Sequence, residues 1–421
     1  MSYEQKLMQM KKLLKKTDAK STPKQKTSIA PPPAYEKQWL AAGLTKEENK
    51  YGIVYKRIVD YDVHHLHGEI ILSGLKKTID DWKEAAETHP LSPDFSQTLL
   101  FFDTETTGLK GAGTVIFLMG FIEQTGDSFK LTQYVLPGPD HEAAFLFASG
   151  LWEKPATLVT YNGKSFDVPQ LESRWTMHRA QLPPLLKHAQ IDLLHSARRI
   201  WKEELETFKL PVIEEEKLGF FRDGDIPGFM APIIYQDAVK SGNPELLMKI
   251  LDHNEWDILS LVALYIKSTD ILLKMDVKES AIIQTNIGKW YADLKSYDRS
   301  KIVFENTIAQ FGTNHPAAHF HLAFILKRNR YDNEAVTSFK IASEGLIGRE
   351  RIIALEELAK LYEHKLKDFK LALTYTKAAK RFLKYDFDLS ERFRLRMGNH
   401  FAMREIRLQK KLFPGQAHKV T

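Results

Sequence analysis

The chain contains no cysteine among its 421 residues, and this absence excludes disulfide scaffolds, thiolate zinc sites and cysteine nucleophiles. Long apolar runs are also missing. The longest, residues 115–122, is interrupted by Gly120 and falls far short of the ~18 residues that a membrane span needs. No charged segment followed by an apolar one opens the chain, so secretion is not expected. We therefore expect a cytoplasmic protein that does not cross a membrane.

The net charge is small, +6 from 60 basic and 54 acidic residues, but its distribution is uneven. Residues 1–33 contain eight lysines against Glu4 and Asp18, and residues 392–411 contain seven Lys or Arg residues against Glu405 alone. Basic blocks at both ends suit a polyanionic partner, because neutralised phosphates release counterions. Ordinary solvated faces are the alternative interpretation of these blocks.

Four regions follow from composition and pattern. Residues 1–35 are rich in lysine and end in prolines, which predicts a flexible basic arm. Residues 36–97 form an N-terminal lead-in, with a strand predicted near 68–72 and a helix over 79–88. Over 98–275, three consecutive strands precede alternating helices and strands, which predicts an α/β domain with a mixed sheet and flanking helices. The segments that carry this pattern are 98–102, 115–122, 129–136, 141–149, 157–161, 168–178, 197–207 and 246–273.

The strand pattern disappears in the last region, residues 280–421, which ends in a basic tail. Tyr297 and Tyr331 mark a period of about 34 residues built of helix pairs, which is typical of tetratricopeptide repeats. The interval from Tyr331 to Phe369 is longer, and an insertion at 344–351 is one explanation. Such repeats stack into a concave surface that commonly holds a partner protein.

Two acidic residues, Asp103 and Glu105, stand at the end of the apolar strand predicted for residues 98–102. Side chains at i and i+2 of a strand point to the same face, so the two carboxylates lie side by side. Such a pair is costly unless a cation bridges it, and hard oxygen ligands favour Mg²⁺ or Mn²⁺. For this motif taken alone, a solvated pair at the strand end is the alternative.

Two further segments carry acidic or histidine side chains. Asp167 follows a predicted strand and an Asn162-Gly163 turn and opens the next helix, where Asp also serves as an ordinary N-cap. His253 and Asp257 are spaced i and i+4 in a predicted helix, so both project from one face. Taken singly, each segment is also explained by helix stability.

The order of these motifs resembles the DEDD exonuclease superfamily: Asp-x-Glu, then Asp about sixty residues later, then His-x-x-x-Asp about ninety residues beyond. The stretch Asp-Thr-Glu-Thr-Thr-Gly at 103–108 matches the first motif of that family closely. Ile191-Asp-Leu-Leu, Asp225-Ile-Pro-Gly and His253-Asn resemble its YprB-type branch, in which tetratricopeptide-like repeats follow the nuclease domain. The resemblance covers residues 50–275, with a looser match to the repeats. It implies a ribonuclease-H-like fold and a metal-dependent 3′-to-5′ exonuclease.

The resemblance also implies roles for individual residues. Four carboxylates would hold two divalent cations, Mg²⁺ or Mn²⁺: those of Asp103, Glu105, Asp167 and Asp257. His253 would be the general base that deprotonates the attacking water. One spacing departs from the family, because the histidine branch has four residues between His and Asp and the tyrosine branch has three. This sequence places a histidine at the tyrosine spacing, so Asp252 and Glu255 stay open as alternatives.

Five residues near these motifs are candidates for binding the terminal nucleotide: Thr106, Tyr161, Asn162, Lys164 and Phe166. Packing of the strand-to-helix turn is the alternative for the aromatic residues, and an ordinary surface charge is the alternative for Lys164. Asp192 and Asp225 are interpreted as structural. The resemblance further favours DNA over RNA, a role in DNA repair, and a helicase as the protein partner of the repeats.

Two other functions stay under consideration. One is an interaction scaffold that acts through its repeats and carries an inactive nuclease fold. Four clustered carboxylates argue against it, because a merely structural domain has no reason to keep such costly charges. The other is a structure-selective endonuclease, since ribonuclease-H-like folds host several kinds of nuclease.

Overall fold

A computed structural model describes residues 30–108, 113–274, 279–312, 315–386 and 388–413 of the chain. Most of the predicted basic arm and the last residues of the predicted C-terminal tail lie outside these ranges. The described residues form an α/β region around one large sheet, followed by a region built only of helices.

The sheet is mixed, as the alternation of apolar segments predicts. The strands of the described residues are β1 (Thr45–Asn49), β2 (Gly52–Asp62), β3 (Leu66–His67), β4 (Ile70–Ile71), β5 (Thr98–Thr106), β6 (Ile116–Thr125), β7 (Ser128–Val135), β8 (Ala156–Thr160) and β9 (Ala189–Asp192). Seven of them form one sheet in the order β1-β2-β7-β6-β5-β8-β9, while β3 and β4 pair separately. Among the first five strands in this order, β1, β2, β7, β6 and β5, neighbours are antiparallel. The last two strands are parallel: β8 runs parallel to β5, and β9 runs parallel to β8. Strands β1 and β2 of the lead-in therefore extend the main sheet at one edge.

Helices cover both faces of this sheet. They are α1 (Glu36–Ala41), α2 (Gly74–Ala85), α3 (Glu142–Ala148), α4 (Asp167–Met177), α5 (Leu193–Ile200), α6 (Leu210–Ile213), α7 (Ala231–Ser241) and α8 (Glu245–Lys274). The adjacent β5 residues Phe101 and Phe102 are both fully buried, and they belong to two different cores because successive strand side chains alternate between faces. The 30-residue helix α8 packs on β5 and β6. It comes so close at Gly120 that a Cβ there would lie 2.2 Å from Asn254 Oδ1.

Two element boundaries differ from the predictions. The helix predicted over 197–207 exists with other bounds, Leu193–Ile200, because the Asp192 side chain accepts a hydrogen bond from the Leu194 amide at 3.1 Å and caps the start of α5. The preceding residues form β9, a strand that the sequence pattern did not predict. Helix α2 begins and ends earlier than the predicted 79–88, and its end is set by Ala86, which adopts a left-handed conformation with φ 50°.

The C-terminal region is all helical, as predicted. It contains α9 (Ala281–Asp293), α10 (Tyr297–Phe311), α11 (Pro316–Arg328), α12 (Asp332–Gly345), α13 (Gly348–His364), α14 (Phe369–Tyr385) and α15 (Glu391–Leu412). Tyr297, Tyr331 and Phe369 each lie at or beside the first residue of α10, α12 and α14, which are the second helices of successive pairs. The longer last interval coincides with α13, which has 17 residues where α9 and α11 have 13 and whose first four residues lie within the proposed insertion at 344–351.

No helix in the described ranges is both long enough and apolar enough to cross a bilayer.

Candidate functional site

Strand β5 presents the first two carboxylates at its C-terminal end. Asp103 and Glu105 are both partly buried and, two residues apart on the strand, they share one side of the sheet. Asp167 is the first residue of α4 and is 8% exposed. Thr104 Oγ1 donates a hydrogen bond to Asp167 Oδ1 at 2.5 Å, which ties the start of α4 to β5. Two separate sequence motifs are therefore brought to one place.

Helix α8 supplies the other side of the site. Its Asn254 is fully buried and donates from Nδ2 to Asp103 Oδ2 at 2.8 Å. Gln133 Nε2 of β7 donates to Asn254 Oδ1 at 2.7 Å, which fixes the orientation of the amide. His253 precedes Asn254 directly and Asp257 follows it by three residues, and both project toward the end of β5, as their i, i+4 spacing predicts.

Glu105, His253 and Asp257 come closest together. Each offers a ligand atom that lies within 4.8 Å of the other two. His253 Nε2 lies 3.5 Å from Asp257 Oδ2 and 4.0 Å from Glu105 Oε1. Asp103 and Asp167 are not part of this group of three, but they interact electrostatically with it: Asp167 repels Glu105, and Asp257 repels Asp103. Carboxylate oxygens and an imidazole nitrogen are a donor set that fits divalent cations.

The electrostatics of the cluster are unfavourable without a cation. Burial, followed by repulsion from Asp257 and Asp167, raises the pKa of both Asp103 and Glu105 well above the ordinary carboxyl range. Burial raises the pKa of Asp167 to about 6, although the hydrogen bond from Thr104 opposes the rise. Each of these carboxyl groups therefore resists ionisation, and a bound cation would remove the cause of that resistance.

The segment before α7, residues 219–230, crosses this site and adds one cation to it. Arg222 is 6% exposed in its side chain and donates to Asp257 Oδ1 through Nη2. The same guanidinium donates to Glu214 Oε2 at 2.7 Å and to Asp225 Oδ2 at 3.1 Å. Asp225 Oδ1 in turn lies 2.7 Å from His253 Nδ1. Gly228 lies beside the same imidazole, since a Cβ there would be 3.6 Å from His253 Nε2.

A buried chain of hydrogen bonds leads away from Arg222 into the protein. Glu214 is fully buried and accepts a hydrogen bond from Ser260 Oγ at 2.5 Å. Ser260 Oγ lies 2.7 Å from His67 Nε2, and burial lowers the pKa of His67 to about 3. His67 is therefore neutral, and Arg222 is the cation that pairs with both Glu214 and Asp257.

Asp252 and Glu255, the alternatives to the assigned ligands, lie in a different environment. Arg57 Nη1 donates to Asp252 Oδ1 at 2.7 Å, and Arg57 Nη2 donates to Glu255 Oε2. Tyr61 donates its hydroxyl hydrogen to the other oxygen of Glu255. Both carboxylates thus pair with Arg57 on β2 and are turned away from the cluster, whereas Asp257 is the acidic residue of α8 that lies in it.

The five substrate-binding candidates are placed unequally. Lys164 and Phe166 are exposed beside Asp167, with Phe166 38% exposed. Asn162 adopts a left-handed conformation with φ 65°, and its backbone N–H donates to Asp192 Oδ1 at 2.8 Å. The two remaining candidates make internal contacts: Thr106 Oγ1 donates to the Gly108 carbonyl at 2.8 Å, and Tyr161 donates to the Phe208 carbonyl at 2.8 Å while its ring packs on a core.

Sequence reasoning missed several residues of the site. Arg222 carried no motif of its own, although it stands three residues before the Asp225-Ile-Pro-Gly stretch. Asn254 was present in the His253-Asn pair but was given no role. Phe221 and Phe229 were also missed. They are 68% and 70% exposed, and they flank the part of segment 219–230 that contacts the cluster.

Comparison with known proteins agrees with this architecture. Residues 100–269 match the family model of the RNase H superfamily, and this range contains every carboxylate of the cluster. The chain is also 38% identical over 343 residues to the uncharacterized protein YprB of Bacillus subtilis (strain 168), an alignment that covers 80% of this chain and 82% of YprB. The similarity therefore extends beyond the sheet into the helical region.

Proposed function

Since the chain belongs to the same family as YprB and carries a domain of the RNase H superfamily, which indicates a metal-dependent nuclease, we propose that it is a two-metal 3′-to-5′ exonuclease acting at nucleic-acid ends. The observation that carries the proposal is the convergence of Asp103, Glu105, Asp167 and Asp257, from three separate motifs, on one end of the sheet. The exonuclease subtype and its polarity rest on the resemblance of these motifs to the DEDD superfamily.

The carboxylates fit divalent cations because burial and then mutual repulsion raise the pKa of Asp103 and Glu105, and a bound cation would offset both effects. Two ions held by the four carboxylates, Mg²⁺ or Mn²⁺, would activate the attacking water and stabilise the leaving oxygen. Arg222 contributes a fixed positive charge against Asp257, and Asn254 holds the orientation of Asp103.

His253 is oriented to take the proton of the attacking water. Two groups contact His253 Nδ1: the acceptor Asp225 Oδ1 at 2.7 Å and the donor Arg222 Nη1 at 3.2 Å. The shorter contact, to a carboxylate oxygen that can only accept, favours Nδ1 as the protonated nitrogen of a neutral imidazole. The lone pair is then on Nε2, the nitrogen that faces Glu105 and Asp257. This geometry supports the role of general base at the observed spacing of three intervening residues.

Three exposed aromatic residues are close in sequence to residues of the site and support a substrate with unpaired bases. Phe166 precedes Asp167, while Phe221 and Phe229 lie on segment 219–230. Stacking of a base on an aromatic ring is worth ~1–3 kcal/mol and requires that the base is not paired. A strand end with at least one frayed or single-stranded base is the substrate that these rings would hold.

DNA as the substrate, DNA repair as the process, a cytoplasmic location and a helicase partner on tetratricopeptide-like repeats all rest on the resemblance to the YprB-type branch. The helical pairs α9–α10, α11–α12 and α13–α14 support the repeat assignment. No contact in the described part of the chain identifies this partner.

The test is hydrolysis of DNA and RNA labelled separately at the 3′ and 5′ ends, with Mg²⁺, Mn²⁺ or EDTA. We expect metal-dependent release of mononucleotides from the 3′ end, and none with Asp103→Ala. Defined internal fragments would show an endonuclease instead. If every substrate stays intact with either metal, the nuclease proposal fails, and an interaction scaffold becomes the better account.

A further inference from the structure

The basic residues of α15 fall into two groups with different environments. In its C-terminal half, Arg404, Arg407 and Lys411 all donate to the fully buried side chain of Glu363, at 2.8 to 2.9 Å. Burial opposes ionisation of Glu363, but the bonds from Arg407 and Lys411 lower its pKa to about 2. These three cations are all engaged with one carboxylate inside the protein, so their contacts serve the packing of the last helices.

The N-terminal half of α15 is different. Arg392 and Arg396 are exposed, and Arg349 of α13 is exposed beside them. Within the ranges that the structure describes, none of these three guanidinium groups forms an ion pair with a carboxylate. Three unneutralised arginines at one place repel each other, and an anionic ligand would relieve that repulsion.

These arginines line one groove. It has a volume of about 540 Å³, and its walls include Arg349, Arg392, Arg396, Ser390 and Asn399 but neither Asp nor Glu. The ring of Phe393 makes cation–π contacts with two of the arginines: its centroid lies 5.3 Å from the guanidinium of Arg349 and 5.5 Å from that of Arg396. Stacking on a shared ring holds two guanidinium planes in place before any ligand arrives.

We propose that this arginine groove binds the phosphate backbone of a nucleic-acid strand. Guanidinium groups donate two parallel hydrogen bonds to a phosphate, and three of them together match the repeated charge of a polynucleotide. The inference rests on the proposed function, because a nuclease substrate is the polyanion that this chain would meet. It goes further by giving the helical region a second contact with the same strand. Backbone contacts carry no base sequence, so the groove serves DNA and RNA alike.

The experiment measures binding separately from cleavage. The full chain carrying Asp103→Asn is titrated in EDTA against fluorescein-labelled single-stranded DNA, single-stranded RNA and duplex DNA, at several salt concentrations. Arg392→Glu combined with Arg396→Glu is compared with Lys77→Glu combined with Lys83→Glu, which changes the net charge equally on α2. In the control, both lysines already pair with Asp81 and Asp80. Arg392→Gln with Arg396→Gln serves as a milder pair, and thermal melting checks the fold of each variant.

We expect the arginine reversal to weaken strand binding about tenfold or more and to reduce the slope of log K against log salt by ~1.4, which is ~0.7 for each lost phosphate contact. The lysine control should change neither quantity. Unchanged affinity and slope in a folded arginine variant would overturn the inference while leaving hydrolysis by the wild type, and thus the proposed function, intact. If the wild type hydrolyses no substrate but binds strands in an arginine-dependent way, the inference about the groove stands and the proposed nuclease function fails. Binding of poly-glutamate at the groove, with strand affinity insensitive to the arginines, would identify an acidic protein partner and also overturn the inference.

Discussion

Nδ1 of His253 and Oδ1 of Asp225 lie 2.7 Å apart, so a carboxylate from segment 219–230 fixes the orientation of an imidazole on α8. The two residues are 28 positions apart in sequence and belong to no common local motif. Asp225 does not reach the carboxylate cluster itself and therefore acts as a positioning residue. Its effect on activity should pass mainly through His253, with a smaller part through Arg222, which donates to Asp225 Oδ2 at 3.1 Å.

Asp225→Asn should lower turnover about 10- to 100-fold and leave strand affinity nearly unchanged, because orienting partners of site residues typically have effects of this size. The amide can donate to Nδ1 and so place the proton of the imidazole on Nε2, the wrong nitrogen for a base. Steady-state kinetics over a range of pH measure kcat and KM separately. Asp223→Asn, on the same segment and exposed, is the matched control and should behave as wild type. Equal losses in both variants would contradict the positioning role.

Arg222→Gln should destabilise the protein by ~3–5 kcal/mol, the cost of leaving buried charges unpaired. Glu214 is fully buried and the Asp257 side chain is 15% exposed, and both lose their shared cation in this variant. Denaturant unfolding in EDTA measures the loss. Arg199→Gln removes an exposed pair with Asp293 and should cost less than ~1 kcal/mol. Comparable stability of the two variants would show that the Arg222 contacts contribute little.

The sequence predicted the carboxylates well because each stands in a short motif whose spacing is fixed by one strand or one helix. The two-residue period of a strand was enough to predict that Asp103 and Glu105 share one face. The period of a helix was enough to predict the same for His253 and Asp257. Arg222 and Asn254 could not be found this way, since their roles depend on which surfaces meet after folding. The bare β6 surface at Gly120, which lets α8 come close enough for Asn254 to reach Asp103, has no local signature.

Tyr161→Phe separates packing from substrate binding at a residue that the sequence left ambiguous. The Tyr161 hydroxyl donates to the Phe208 carbonyl at 2.8 Å, so its loss should cost ~1 kcal/mol of unfolding free energy. Strand affinity and turnover should not change, because the hydroxyl is already engaged within the protein. A rise in KM without a change in stability would return Tyr161 to the substrate-binding set.

Phe221→Ala and Phe229→Ala should each weaken binding of single-stranded ends by about 5- to 100-fold, from ~1–3 kcal/mol of lost base stacking. Both rings are about two-thirds exposed, so their removal should leave the melting temperature unchanged. An oligonucleotide with 2-aminopurine at its 3′ end reports stacking directly, through the quenching of its fluorescence. Phe95→Ala, which removes a ring that is 48% exposed on a loop before β5, is the control. Quenching that persists in both site variants would exclude these rings as stacking surfaces.

The metal-free protein should lose stability as the pH rises from about 4 to about 7. The pKa of Asp167 is about 6 in the folded protein against 3.8 ordinarily, so between these values the folded state binds more protons than the unfolded state. Stability then falls as the pH rises, and the full difference corresponds to ~3 kcal/mol. Asp103 and Glu105, whose pKa values are also raised, act in the same direction.

Melting temperatures in EDTA and in Mn²⁺ across this pH range test that expectation. Mn²⁺ should raise the melting temperature most at the upper end of the range, where the carboxylates are most ionised and repel each other most strongly. Asp167→Asn should flatten the pH dependence and melt higher than wild type in EDTA at pH 7, because it removes the repelling charge and can still accept from Thr104. Asp127→Asn, in the exposed turn between β6 and β7, should change neither quantity. A metal-free wild type that becomes more stable toward pH 7 would contradict the electrostatic origin of the raised pKa values, and with it the argument that this cluster is built to hold cations.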